Sequence, residues 1–125
     1  MTGANRSADP RLEQRQSKRM RLVVGLPVRL GRIDGTLLEI SRGGARVRHV
    51  GSMKTHSEVV LAFESGADRF IANGKVLSSH VVGLGTGPGG ATLFETNLRF
   101  THISADALAT IEQMLGADGP GTMNP

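Results

Sequence analysis

The chain has no cysteine, no tryptophan and no tyrosine, and only four phenylalanines among its 125 residues. Without cysteine there are no disulfides, no thiolate nucleophile and no thiolate metal site, which fits a reducing compartment. With so few rings the core has to rest on Val, Leu and Ile. A platform that stacks bases on aromatic faces has little to work with. No apolar run approaches the roughly 18 residues needed to cross a bilayer, so no membrane insertion is expected. The opening Met1-Thr2-Gly3-Ala4-Asn5-Arg6 lacks the apolar stretch of a secretory leader. These absences predict a cytoplasmic protein. In that setting the triplet Asn5-Arg6-Ser7 has no meaning as a glycosylation site.

What is present is cationic and unevenly spread. The net charge is +4, but residues 1–48 carry eleven basic and four acidic side chains and residues 49–125 carry four and seven. Twelve of the fifteen cations are arginine. Lysine would serve for solubility, whereas the planar guanidinium fork suits phosphate and ring stacking. The 38% of hydrophobic residues allows one domain with a modest core, and the seventeen glycines imply many turns.

Residues 1–10 read as a disordered tail, and residues 11–19 as a basic arm or helical turn that orders on binding. Leu22, Val24, Leu26, Val28 and Leu30 then alternate as a half-buried strand, with Pro27 arguing for an edge or a bulge. Asp34-Gly35 predicts a tight hairpin before a second strand over Thr36 to Ile40. A turn over Ser41 to Gly44 leads to a third strand over Ala45 to Val50. In that strand Ala45, Val47 and His49 lie opposite Arg46 and Arg48. Glu58 to Glu64 is a fourth strand, and Phe70 to Ser78 a fifth that Asn73-Gly74 bends or splits. A glycine loop over residues 83–91 precedes a sixth strand over Thr92 to Phe100. The period then changes to helical. Ser104 is the expected N-cap, Ile103 is expected to staple onto Leu108, Leu108, Ile111 and Leu115 share a face, and Gly116 ends the helix. Residues 117–125 read as a second disordered tail. The pattern predicts an all-β fold: a small six-stranded antiparallel β-barrel with a C-terminal α-helix, spanning residues 11–116.

Most catalytic signatures are weak. Gly85-Thr86-Gly87-Pro88-Gly89-Gly90 satisfies G-x-G-x-x-G, but a strand follows it, not the helix whose N-terminus would hold a pyrophosphate. His49, His56, His80 and His102 have no metal-ligand spacing, so no metal site is expected. Ser41 has no nucleophile elbow and no neighbouring base, and no carboxylates pair for acid–base work. The chain is expected to have no enzymatic activity and to need no cofactor. Two features stand out instead: the cations Arg11, Arg15, Lys18, Arg19 and Arg21, and the acid, hydroxyl and glycines of Glu39-Ile40-Ser41-Arg42-Gly43-Gly44. Together they suit a small, doubly charged nucleotide.

This combination resembles the PilZ domain, a small β-barrel receptor for the bacterial second messenger cyclic di-GMP. Arg15-Gln16-Ser17-Lys18-Arg19 matches the family's Arg-x-x-x-Arg pair, and Arg11 to Arg15 matches it again. Glu39 to Gly44 resembles its [Asp/Asn]-x-Ser-x-x-Gly turn, with Glu39 at the acidic place. Leu22 to Leu30 is similar to its first strand. Leu98-Arg99-Phe100 before a terminal helix also fits. The resemblance implies cyclic di-GMP as ligand, bound by Arg15, Arg19, Arg21, Glu39, Ser41 and Gly44. It implies a protein partner of unknown identity. The arginines would meet phosphates or guanines, Glu39 would accept guanine N–H donors, Ser41 would offer its hydroxyl, and Gly44 would supply a positive-φ turn. In the family the second arginine commonly directly precedes the first strand, a place that falls here on Arg21, with Ser17 where the first arginine belongs. Two other readings stay open: a PilZ-like module that works through protein contacts without nucleotide, and a barrel that binds single-stranded nucleic acid.

Overall fold

The computed structural model describes residues 22–118, with side chains over residues 25–116. The expectations for residues 1–21, including Arg15, Arg19 and Arg21, and for residues 119–125 lie outside the described residues. Six strands run in chain order: β1 (Leu22–Leu30), β2 (Ile33–Ile40), β3 (Gly44–Val50), β4 (Glu58–Ser65), β5 (Asp68–Gly83) and β6 (Leu93–Ile103). A short 3-10 turn at Pro88–Gly90 precedes β6, and one helix, α1 (Ala105–Asp118), follows it. All neighbouring strands are antiparallel. They close into a barrel in the order β1-β2-β3-β6-β5-β4, with β4 returning to β1.

Alternation builds the interior. Val28 and Leu30 of β1, Ala45 and Val47 of β3, Leu61 and Phe63 of β4, and Leu98 of β6 are buried, while Arg29, Arg48 and Arg99 point to solvent. β2 breaks the period. Leu37 and Ile40 are both fully buried although three residues apart, because a bulge lies between Leu37 and Glu39 in the pairing with β3. Without that extra residue Glu39 would share the inward face of Leu37. With it, Glu39 stands outward, opposite Arg46.

Several turns differ from the sequence reading. The first hairpin turns at Gly31-Arg32, not at Asp34-Gly35, since Leu30 pairs with Ile33. Gly31 has φ +63 at the first central position, as a II′ turn requires. Gly35 lies inside β2, where a Cβ would sit 2.8 Å from the Arg48 carbonyl oxygen. Asn73-Gly74 does not split β5, which continues for 16 residues. A register shift in the pairing with β6 falls at that dipeptide, so the strand is kinked there without ending.

Ser104 caps α1 as expected, its Oγ accepting the Ala107 N–H at 3.0 Å. The buried face, however, is Ala107, Thr110, Ile111, Met114 and Leu115, whereas Leu108 remains 37% exposed. Gly116 does not end the helix, which runs on to Asp118. Glycine costs only about 1 kcal/mol relative to alanine within a helix, and the Met114 and Leu115 contacts on the core hold this last turn. The helix packs on β5 and β1.

A buried polar pair, His49 and Thr96, sits inside the barrel. His49 is 2% exposed, its Nε2 lies 2.5 Å from Thr96 Oγ1, and Thr96 Oγ1 donates to Ser79 Oγ at 2.9 Å. Ser79 Oγ also accepts the Met53 N–H at 3.2 Å. Burial pushes the His49 pKa down, partly opposed by the backbone at Val50 and Gly51. In the unfolded chain it titrates near the ordinary histidine value, about 6.5. Between the two values the unfolded state binds more protons, so this contribution to stability is complete above about pH 6.5 and is lost as pH falls through the folded value. The thermal midpoint is expected to fall on acidification from pH 7.5 to pH 5.5. Calorimetry of His49→Gln should show a flatter profile over that window; an unchanged slope would refute the assignment.

Candidate functional site

The turn between β2 and β3 is built by its own serine. Ser41 N–H donates to the Gly44 carbonyl at 2.9 Å. The Ser41 hydroxyl donates weakly to that same oxygen at 3.4 Å and accepts the Gly43 N–H at 3.3 Å. Both hydroxyl bonds are long, so exchanging them for a ligand atom costs little. The Gly43 carbonyl accepts the Phe100 N–H at 2.9 Å, which ties the turn to β6.

Gly44 plays a different part from the one expected. Its φ is not positive; among the described residues the positive-φ glycines are at 31, 51, 66, 85, 89 and 90. It pairs with Arg99 at the start of β3, and a Cβ there would meet the Leu98 carbonyl oxygen at 2.0 Å. Glycine is needed because two backbones approach, not because the chain turns left-handed.

Next to the turn, Glu39, Arg46, Asn97 and Ser78 occupy one register line across β2, β3, β6 and β5. Their side chains join: Arg46 Nη1 lies 3.7 Å from Glu39 Oε2, Arg46 Nε donates to Asn97 Oδ1 at 3.2 Å, and Asn97 Nδ2 donates to Ser78 Oγ at 2.8 Å. This ladder holds the Glu39 carboxylate, 22% exposed, beside the turn. Arg99, opposite Gly44, and Lys75, opposite Arg99, add cations on the same outer face. From the helix side, Arg42 grips Glu112 with both Nε and Nη2, the Nη2–Oε1 distance being 2.9 Å. That fork holds the Glu112 carboxyl below the usual carboxylate range and raises the Arg42 guanidinium.

The structure thus brings Glu39, Ser41 and Gly44 together at one end of the barrel. Arg15, Arg19 and Arg21 fall outside the described residues, which begin at Leu22. β1 begins at Leu22, which pairs with Ile40, and Val23 pairs with Glu39. Sequence reasoning missed Arg42, Arg46, Asn97 and Glu112. Arg46 was legible as an outward strand position. Glu112 carries no sequence signal of its link to a turn 70 residues away. The glycine pattern at Gly85 to Gly90 forms a loop with the 3-10 turn and leads into β6. Among the described residues no helix is long and apolar enough to cross a membrane.

Comparison with known proteins agrees with this architecture. The PilZ domain family model matches residues 10–117. No curated protein matches the chain in sequence. Among solved structures, the chain is similar to the PilZ domain with c-di-GMP of YcgR from Escherichia coli. The TM-score is 0.61 at 12% identity, covering 78% of this chain and 86% of that one. At that identity the likeness shows the fold, and the expected six-stranded barrel with its terminal helix is the one observed. With the family model matched over residues 10–117 and the six strands closed into a barrel that carries the Ser41 turn at one end, the protein belongs to the PilZ domain family.

Proposed function

We propose that this chain is a cytoplasmic receptor for cyclic di-GMP with no catalysis of its own, and that it passes the messenger level to a partner protein through its arginine-rich arm. The observation that carries the reading is the entry of β1. Leu22 lies opposite Ile40, so the chain bearing Arg21, Arg19 and Arg15 joins the barrel beside the Ser41 turn. At no more than about 3.5 Å per residue, Arg19 is tethered within about 10 Å of Leu22 and Arg15 within about 25 Å. All three can reach a ligand seated on the turn.

The chemistry is complementary. Cyclic di-GMP carries two phosphates and two guanines. Arg15, Arg19 and Arg21 pair with phosphate oxygens, with guanine O6 and N7, or stack on a purine. Glu39 accepts guanine N–H donors. The longer side chain at this Asp/Asn position is steadied by Arg46. Ser41 supplies its weakly engaged hydroxyl, and Gly44 keeps the turn close to β6. Ordering of the arm on the ligand creates or hides a surface for the partner, driven by the ligand's higher affinity for the ordered state. The neighbouring YcgR domain, described with c-di-GMP, supports the same ligand.

Isothermal titration tests this directly. Micromolar or tighter binding is expected. It should be abolished by Arg15→Ala combined with Arg19→Ala and unchanged in Arg69→Ala, whose exposed side chain lies on β5 near the hairpin to β4. Absence of heat at high ligand concentration would instead favour a module acting through protein contacts alone, a reading consistent with a turn that satisfies its own polar groups. Preference for single-stranded nucleic acid with a steep salt slope would favour the third reading. Steady turnover of the dinucleotide would overturn the non-enzymatic assignment.

A further inference from the structure

The fork between Arg42 and Glu112 joins the candidate binding turn to α1, and nothing in the fold requires it. Arg42 lies inside the turn, between Ser41 and Gly43, and presents Nε and Nη2 to both carboxylate oxygens of Glu112. Both side chains are partly exposed, Arg42 by 33% and Glu112 by 46%. The core face of α1 lies on Ala107, Ile111, Met114 and Leu115, so the helix is seated without this pair. The guanidinium edge engaged here is the one that takes two oxygens of a phosphate. Glu112 therefore occupies, with a carboxylate, the seat that an anion on the turn would claim.

We propose that Glu112 is an internal competitor of the ligand: it withholds Arg42, an additional phosphate-binding arginine, until a cyclic dinucleotide displaces it. This rests on the receptor reading above. In the free protein Arg42 faces the helix. When a phosphate arrives beside Ser41, the guanidinium exchanges one anion for another, a nearly balanced swap that leaves Glu112 solvated. The helix then loses its only side-chain ion pair to the turn among the described residues. Ligand occupancy and helix attachment are thereby linked, and the linkage is reciprocal: cutting the tie favours the ligand as much as the ligand favours release of the tie.

The test is a double-mutant cycle read by titration with cyclic di-GMP and by the Arg42 Nε–H resonance in NMR. Glu112→Gln, a near-isosteric change at an exposed helical site, is expected to tighten binding about two- to fivefold, the scale of a surface ion pair. Arg42→Gln is expected to weaken it about tenfold or more. In the Arg42→Gln background the Glu112 substitution should have no further effect. In the wild type, saturation should shift the Arg42 Nε–H signal. Binding by Glu112→Gln that equals or falls below the wild type would overturn the proposal, as would an Arg42 signal unmoved at saturation. If neither wild type nor Glu112→Gln binds the dinucleotide, the receptor reading fails, and inorganic pyrophosphate then decides the latch. Displacement of the Arg42 signal at lower concentration in Glu112→Gln supports it, and no displacement refutes it. Matching circular dichroism and thermal midpoints confirm that each variant is folded.

Discussion

Phe70→Ala is expected to destabilise the protein by about 3–5 kcal/mol, the range for removing a fully buried aromatic side chain. The ring is completely inaccessible at the start of β5. It stacks on Phe63 with centroids 4.6 Å apart and meets Phe100 at 5.8 Å in a tilted arrangement. Three of the chain's four phenylalanines therefore form one cluster, and there is no tryptophan or tyrosine to compensate. Deleting the middle ring leaves a cavity that Phe63 and Phe100 cannot fill, being fixed to β4 and β6. For a domain of this size the thermal midpoint should drop by more than about 12 °C. Denaturation followed by circular dichroism is the suitable probe, since indole and phenol fluorescence are absent. A loss below about 1 kcal/mol would mean that the cluster does not hold the barrel.

The second large effect separates two adjacent glycines. Gly44→Ala places a Cβ 2.0 Å from the Leu98 carbonyl oxygen, a backbone atom that cannot turn aside. β3 and β6 must part at the pairing of Gly44 with Arg99, beside the Ser41 turn. The expected cost is about 3 kcal/mol, at the upper end for overpacking. Cyclic di-GMP affinity should fall with it, because Ser41 is positioned by its bonds to Gly44. At Gly43 a Cβ meets nothing within 4 Å and φ is not positive, so Gly43→Ala should stay within about 0.5 kcal/mol of the wild type. Thermal unfolding and titration of the two variants side by side check this. Equal behaviour would show that the strand contact is not what fixes glycine at position 44.

The alternation of β1 and β3 was legible because each buries one face, so that Val28, Leu30, Val47 and His49 keep period two. The outward turn of Glu39 was not. It depends on a bulge, an event in the pairing of two strands with no mark in either strand alone. Asp34-Gly35 has the composition of a hairpin yet lies in a strand. Gly31, an equally good turn residue, comes first, and Gly35 is needed where β3 passes close by. The helix was recognised from its cap at Ser104. Ile111 and Leu115 of its expected face are buried, but small Ala107 and flexible Met114 fill the remaining space at the core while Leu108 faces outward. Of the candidate site, the turn and its serine were readable from local chemistry. The partners that hold it, Arg46, Asn97 and Glu112, come from three separate elements and become visible only in three dimensions.

The closure of the barrel is uneven. β4 and β5 pair over the whole of β4, whereas β1 meets β4 only at Arg29 and Leu30, helped by the Gly31 amide on the Val60 carbonyl. Among the described residues, the first strand from Leu22 to Val28 pairs with β2 alone. Opening fluctuations concentrate where lateral bonds are fewest, so this stave is the one that peels at the lowest free energy. Tension applied through its N-terminal end therefore loosens the wall before it disturbs the aromatic centre.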